Sequence, residues 1–168
     1  MNDISTIPHW DNLPALSWRE KIAYLTYKFL QFPQTDCPIK HIFEGRLYIR
    51  EITIPAQTLF LGRAHTYGHE CLLLSGSLIH ISPDGTKRTL EAPFSMHTTP
   101  GYHMAFYTVT EVIGRTIHPN LTEWLDPQAL EADIFEPLDN LKALGAELHE
   151  KEFAALLGAA CHAEAFAI

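Results

Sequence analysis

The feature that most constrains this chain is a series of short segments with period-two patterning. It runs from Arg46 to His118 and is broken throughout by glycine and proline. Leu47-Tyr48-Ile49-Arg50-Glu51-Ile52-Thr53-Ile54 is rich in β-branched and aromatic residues and stops at Pro55. Segments at 58–64, 70–74 and 78–82 follow. Pro83-Asp84-Gly85-Thr86 then reads as a tight turn joining 77–82 to 87–91 in a hairpin. After Pro93, Pro100 and Gly101, the stretches His103–Thr108 and Val112–His118 close the series. Short strands at regular spacing predict an all-β sandwich or barrel and exclude an alternating strand–helix fold.

The flanks read differently. Residues 1–16, with Pro8 and Pro14, suit an extended arm. Ser17-Trp18-Arg19-Glu20 has the form of a capping box, and Ile22, Leu25, Phe29 and Leu30 follow at helical spacing. A helix is predicted over 18–31, ending before Pro33. Beyond Pro119, Asp126-Pro127 opens a short helix near 127–132, and the Ala- and Leu-rich stretch 150–165 forms another. With no repeats and no linker composition, the expectation is a single domain. It has an N-terminal arm and helix packed on the barrel (1–45), a barrel (46–119) and a helical tail (120–168).

Composition narrows the function classes. Hydrophobic residues make up 46% and charged residues 19% of 168 residues, an ordinary globular balance. A formal charge of −8 disfavours general nucleic-acid binding. Three scattered cysteines, Cys37, Cys71 and Cys161, offer neither a disulfide framework nor zinc-knuckle spacing. No secretory leader pattern and no membrane-length apolar run is present, so a soluble cytoplasmic protein is expected. Phosphate-loop, dinucleotide-binding, nucleophile-elbow and H-E-x-x-H motifs are missing.

Ten histidines are the compositional outlier, and many fall between His65 and His118. His65 and His69, four apart across a strand break, can point to one side of a barrel. Converging neutral imidazoles suit a first-row divalent ion such as Fe, Mn, Ni or Zn. The competing explanation is a pair of strand-end histidines bonded to backbone. His103, His80 and His118 each qualify as a third partner, His118 because it ends the last strand on the face of Val112, Gly114 and Thr116. Glu70 should point away from His69, whereas Cys71 and Leu73 share its parity. Arg63, Tyr67, Tyr102 and Tyr107 can line the mouth and position a ligand, and equally can be ordinary strand residues. His9, His41, His149 and His162 lie outside the predicted strands.

The stretch Gly62–Gly76 resembles the first cupin motif, with His65 at its second histidine, His69 at its glutamate and Arg63 where its first histidine stands. Thr99-Pro100-Gly101 resembles the second motif's turn, although Met104 takes the histidine position and His103 stands one place early. The run His41-Ile42-Phe43-Glu44-Gly45-Arg46-Leu47-Tyr48-Ile49-Arg50-Glu51-Ile52-Thr53-Ile54-Pro55-Ala56 resembles uncharacterised cupin-like proteins of bacteriophages and prophages. That likeness continues through Gly62, His65, His69, Gly76, Asp84-Gly85, Ala92-Pro93, Pro100-Gly101 and Thr116-Ile117-His118. The resemblance implies a mainly β fold, a cupin barrel (double-stranded β-helix or jelly roll) with an N-terminal helix and C-terminal helices. It also implies a homodimer, and a host-cytoplasm location if the chain is phage encoded. A metal held by His65, His69 and His103 is implied because cupins place a ligand after the Pro-Gly turn. Arg63, Tyr67, His80, Tyr102 and His118 would then contact a small-molecule ligand. Three functions follow as alternatives: a small-molecule-binding cupin, a metal-dependent oxygenase or isomerase acting on a small polar substrate, and a virion or assembly accessory.

Overall fold

The computed structural model describes residues 16–164, with side chains as far as residue 151. The predicted arm at Ile7–Leu16 lies almost wholly outside the described residues, as do the side chains of Cys161 and His162. The chain divides into two compact units, residues 34–137 and a helical unit drawn from both ends.

In the helical unit, α1 (Trp18–Phe29) packs with α3 (Leu138–Glu164). The capping box forms as its sequence requires. Ser17 Oγ accepts from the Glu20 amide at 3.3 Å, and the Glu20 carboxylate accepts from the Ser17 amide at 2.8 Å. Ile22, Ala23, Tyr24 and Leu25 are buried. The α3 helix begins well before the stretch predicted at 150–165. Its earlier turns carry Asn140, Lys142, Glu147 and Glu150, which obscure an apolar period.

The other unit carries nine strands: β1 (Ile39–Glu44), β2 (Leu47–Ile54), β3 (Leu59–Leu61), β4 (His69–Ser75), β5 (Ser77–Ile81), β6 (Lys87–Glu91), β7 (Phe94–Thr98), β8 (Ala105–Thr108) and β9 (Val112–Pro119). They form two antiparallel sheets, ordered β1-β2-β9-β4-β7 and β3-β8-β5-β6. With β1 set aside, the remaining eight follow the strand order of a jelly roll, the architecture cupins share with capsid and lectin domains. Strand β1 falls inside the region predicted as arm and helix. It is an edge strand with mostly exposed side chains, so its burial pattern carries little period-two signal. Gly76 (φ +82°) turns β4 into β5, and a Cβ there would run into the Glu111 carbonyl, so only glycine fits.

Cross-strand registers explain where the core ends and the polar site begins. On the inward face of the larger sheet, one row is Ile52–Gly114–Leu73–Phe94. It joins Ile54, Val112, Leu78, Leu90 and Phe106 in the apolar core. One step along the same face lies Arg50–Thr116–Cys71–Met96. One further step lies Tyr48–His118 on one strand pair and His69–Thr98 on another. Because Glu70 pairs with Ile117, the register sets His69 beside His118. The inner face therefore runs from dry and aliphatic at one end to imidazole-rich at the other.

After β9 the chain turns through Asn120, whose side chain bonds the Trp124 amide and carbonyl at 3.0 and 2.8 Å. It then enters α2 (Pro127–Ile134), with Asp126 as N-cap accepting from the Gln128 amide at 2.9 Å. Leu130, Ile134 and Phe135 pack with Tyr48 in a second buried cluster. The segment after α2 is pinned to the β3–β4 loop. Thr66 donates to the Ile134 carbonyl at 2.9 Å, and Glu136 donates to the Ala64 carbonyl at 3.0 Å. His65 and Phe135 form a β-bridge.

A candidate metal centre at the histidine end of the barrel

Three elements deliver the imidazoles. His69 opens β4, His118 stands near the end of β9, and His65 sits in the β3–β4 loop against Phe135. All three are buried, from 9% exposure at His65 to none at His118. Ring centroids lie 3.6 Å apart for His65–His69, 4.9 Å for His69–His118 and 5.1 Å for His65–His118. Each offers a nitrogen within 4.8 Å of the others.

The hydrogen bonds divide the trio. His69 is engaged at both nitrogens, by Thr98 Oγ1 at 2.8 Å on Nδ1 and by Cys71 Sγ at 3.2 Å on Nε2. His118 uses Nε2 with Thr116 Oγ1 at 3.0 Å, and its Nδ1 is buried without a partner. His65 Nε2 is likewise buried without a partner. Two bare buried nitrogens are costly unless something satisfies them.

Electrostatics keep these rings neutral. Burial, followed by the neighbouring His69 and His118 and by Arg50 and Arg63, pushes the His65 pKa down to about 2. Burial, followed by His69 and Arg50, takes His118 down to about 3. Burial also lowers His69. Neutral imidazole is the form that binds a metal, so the site is set in its ligating state at neutral pH. An ion held by all three would require their nitrogens to converge, so the His65 and His69 rings, 3.6 Å apart, would have to turn apart and His69 would have to give up one partner. The donor set fits a borderline first-row divalent ion, and three protein ligands leave a coordination position open.

Other predicted residues fall around or away from this centre. Tyr67 meets His118 edge-on at 6.3 Å and packs on the Tyr48–Phe135 cluster. The Arg63 guanidinium lies 4.4 Å over the Phe135 ring and donates through Nη2 to the Glu136 carbonyl at 3.1 Å. His80 is on the inner face of the smaller sheet, where Nε2 meets Tyr102 Oη at 2.9 Å. Burial, then the Cys71 sulfur, raises the Tyr102 hydroxyl pKa. His103 is buried with Nδ1 3.3 Å from the Gly62 carbonyl and is not brought into the trio. The Pro-Gly turn delivers it toward β3, whereas His118 reaches the cluster because β9 pairs with β4. Glu70 points outward as its parity requires and meets the exposed His97 at 2.8 Å. His41, expected outside the strands, lies on β1 with Nδ1 2.7 Å from Tyr48 Oη.

Several site residues were not singled out from the sequence. Phe135 packs 4.6 Å from His65. Arg50 lies 4.7 Å over the Phe135 ring and pairs with Glu131 at 2.9 Å. Thr98 and Thr116 hold His69 and His118. Thr116 shares the parity of His118 and was legible in that respect, but Phe135 and Glu131 arrive from beyond the strands and carry no motif.

No family model matches this sequence, and no curated protein matches it. Among solved structures, the cupin domain of an XRE-family transcriptional regulator from Enterobacter cloacae is similar over 49% of this chain and 95% of its own, at 15% identity and TM-score 0.41. A cupin superfamily protein from Desulfitobacterium hafniense is similar over 55% and 85%, at 11% identity and TM-score 0.43. An acetylacetone dioxygenase from Acinetobacter johnsonii is similar over 52% and 65%, at 14% identity and TM-score 0.41. The jelly-roll strand order stands independently on this chain's own hydrogen-bond ladders. No described helix is long and apolar enough to cross a membrane.

Proposed function

We propose that this protein is a cupin-type small-molecule-binding protein whose barrel holds a first-row divalent metal on His65, His69 and His118. The observation that carries the reading is the convergence of three buried imidazoles, two of them with a bare nitrogen. Arg63 and Tyr67 stand beside the trio as ligand-positioning groups. The metal supplies a Lewis-acidic open position when bound. The residues of the chain then have separate tasks. Thr116 holds the His118 ring through Nε2, and Thr98 holds the His69 ring through Nδ1. Phe135 and Tyr67 shield the centre from bulk water. Turnover of the bound molecule is the enzymatic form of the same reading.

Thermal unfolding of the full chain, stripped by chelator and then supplied with Zn2+, Mn2+, Fe2+ or Ni2+, tests it. At a metal concentration a hundred times Kd the folded state gains about 2.7 kcal/mol. That gain raises Tm by roughly 5–10 °C for a chain of this size. The shift should disappear in His65→Ala/His69→Ala. An equal shift in that variant, or no shift with any of the four ions in the wild type, contradicts the proposal.

A further inference from the structure

The three histidines are buried, so a ligand can reach their nitrogens only if part of the surrounding wall moves. The sheet is a poor candidate for that movement. His69 and His118 lie on β4 and β9, and the order β2-β9-β4-β7 gives each of these strands a ladder on both sides. The wall over His65 is built differently. It consists of residues 126–136, laid against the β3–β4 loop. The Thr66 amide donates to the Ile134 carbonyl at 2.9 Å, and the Glu136 amide donates to the Ala64 carbonyl at 3.0 Å. Thr66 Oγ1 donates to the Asp133 carbonyl at 2.9 Å, and Arg63 Nη2 donates to the Glu136 carbonyl at 3.1 Å. His65 and Phe135 meet in an isolated bridge rather than a ladder. One partly exposed ion pair, Arg50 Nε to Glu131 at 2.9 Å, ties α2 to β2.

We propose that residues 126–136 form a lid on the histidine centre, latched by the Arg50–Glu131 pair and plugged by Phe135, which packs 4.6 Å from His65. Access to the imidazoles runs through opening of this lid, with both sheets intact. The inference goes beyond the metal reading, because it concerns access to the histidines whichever ligand they take. Opening separates Glu131 from Arg50, breaks the bonds to the β3–β4 loop and lifts Phe135 from His65. It also takes Leu130 and Ile134 away from Tyr48, so the open state is a minor one and exchange at the centre is slow.

The test uses the full chain without metal and two readouts. The first is hydrogen exchange at the Thr66 and Glu136 amides, which both donate across the lid. The second is acylation of His65 by diethylpyrocarbonate, which attacks neutral imidazole, followed by mass spectrometry. In the wild type both should proceed well ahead of exchange at the β4 and β9 amides, and both should respond weakly to low urea, as a local opening does. Glu131→Gln should speed both about five- to tenfold, as expected for loss of a half-buried ion pair. Leu73→Ala, at the far end of the barrel, should speed exchange in β4 and β9 about thirtyfold or more and leave both lid readouts unchanged. Equal acceleration of His65 acylation and of β4 and β9 exchange in Leu73→Ala overturns the lid, because access would then need global unfolding. Unchanged lid readouts in Glu131→Gln overturn the latch and the proposal with it. The urea comparison uses wild-type protein alone: a His65 acylation rate that follows the urea dependence of global unfolding overturns the lid even where a variant does not fold. A chain that takes up no metal overturns the metal reading and leaves each of these outcomes decisive for the lid.

Discussion

The rings of His65 and His69 lie 3.6 Å apart at their centroids, tilted by 36°, in the buried end of the barrel. Two imidazoles this close cannot both become imidazolium without strong repulsion, and burial already opposes the first charge.

Acid sensitivity follows from that arrangement. The folded-state values of His65 (about 2) and His118 (about 3) lie well below the ordinary 6.5. Below pH 6.5 the unfolded chain binds more protons than the folded one, so stability falls as pH falls and is unaffected by these groups above 6.5. The slope approaches about 1.4 kcal/mol per pH unit for each group. Urea melts of metal-free protein at pH 7.5, 6.0 and 5.0 should show the midpoint dropping, and His118→Gln should flatten the dependence. An identical slope in wild type and variant would contradict the neutral-imidazole assignment.

A backbone contact controls the placement of His69. A Cβ added at Gly68 would stand 2.7 Å from the Thr98 carbonyl and 2.9 Å from His97 Nε2. The first is backbone of the partner strand, which cannot swing aside. Gly68→Ala should therefore cost about 1–3 kcal/mol by crowding the start of β4. It should also weaken metal uptake by disturbing the Thr98–His69 bond. Denaturant melts combined with metal titration check both, and unchanged values for both would refute the crowding argument.

At the dry end the cost is one of packing alone. Leu73 is 8% exposed, on the inner row with Ile52 and Phe94. Leu73→Ala should lose about 2–5 kcal/mol of stability. Metal affinity per folded molecule should stay unchanged, because Leu73 lies two rows from His69. A loss of affinity without a loss of stability would break this separation of core from site.

Much of this organisation was legible in the sequence because strand parity is a hard rule. Cys71 and Leu73 share an inward face with His69, and Glu70 faces outward to His97, as alternation requires. The capping box at Ser17 and the N-cap at Asp126 were legible because a few local residues define each one. Pairing order was not legible. His103 and His118 were both candidates, and the choice depends on β9 lying against β4, a contact between segments far apart in the sequence. Strand β1 escaped because an exposed edge strand lacks the alternation a half-buried strand shows. Phe135 and Glu131 escaped for a related reason: the return of α2 over the histidine end is a tertiary event that leaves no local pattern.

The central claim is that His65, His69 and His118 form one metal centre. Metal content per chain, measured by native mass spectrometry with elemental analysis after loading and desalting, tests it most directly. Wild-type protein, His103→Ala and His97→Ala should each retain one equivalent. His118→Ala and His65→Ala/His69→Ala should retain almost none, with the barrel's circular dichroism preserved. Full occupancy in a folded His118→Ala protein, or its loss in a folded His103→Ala protein, would contradict the account.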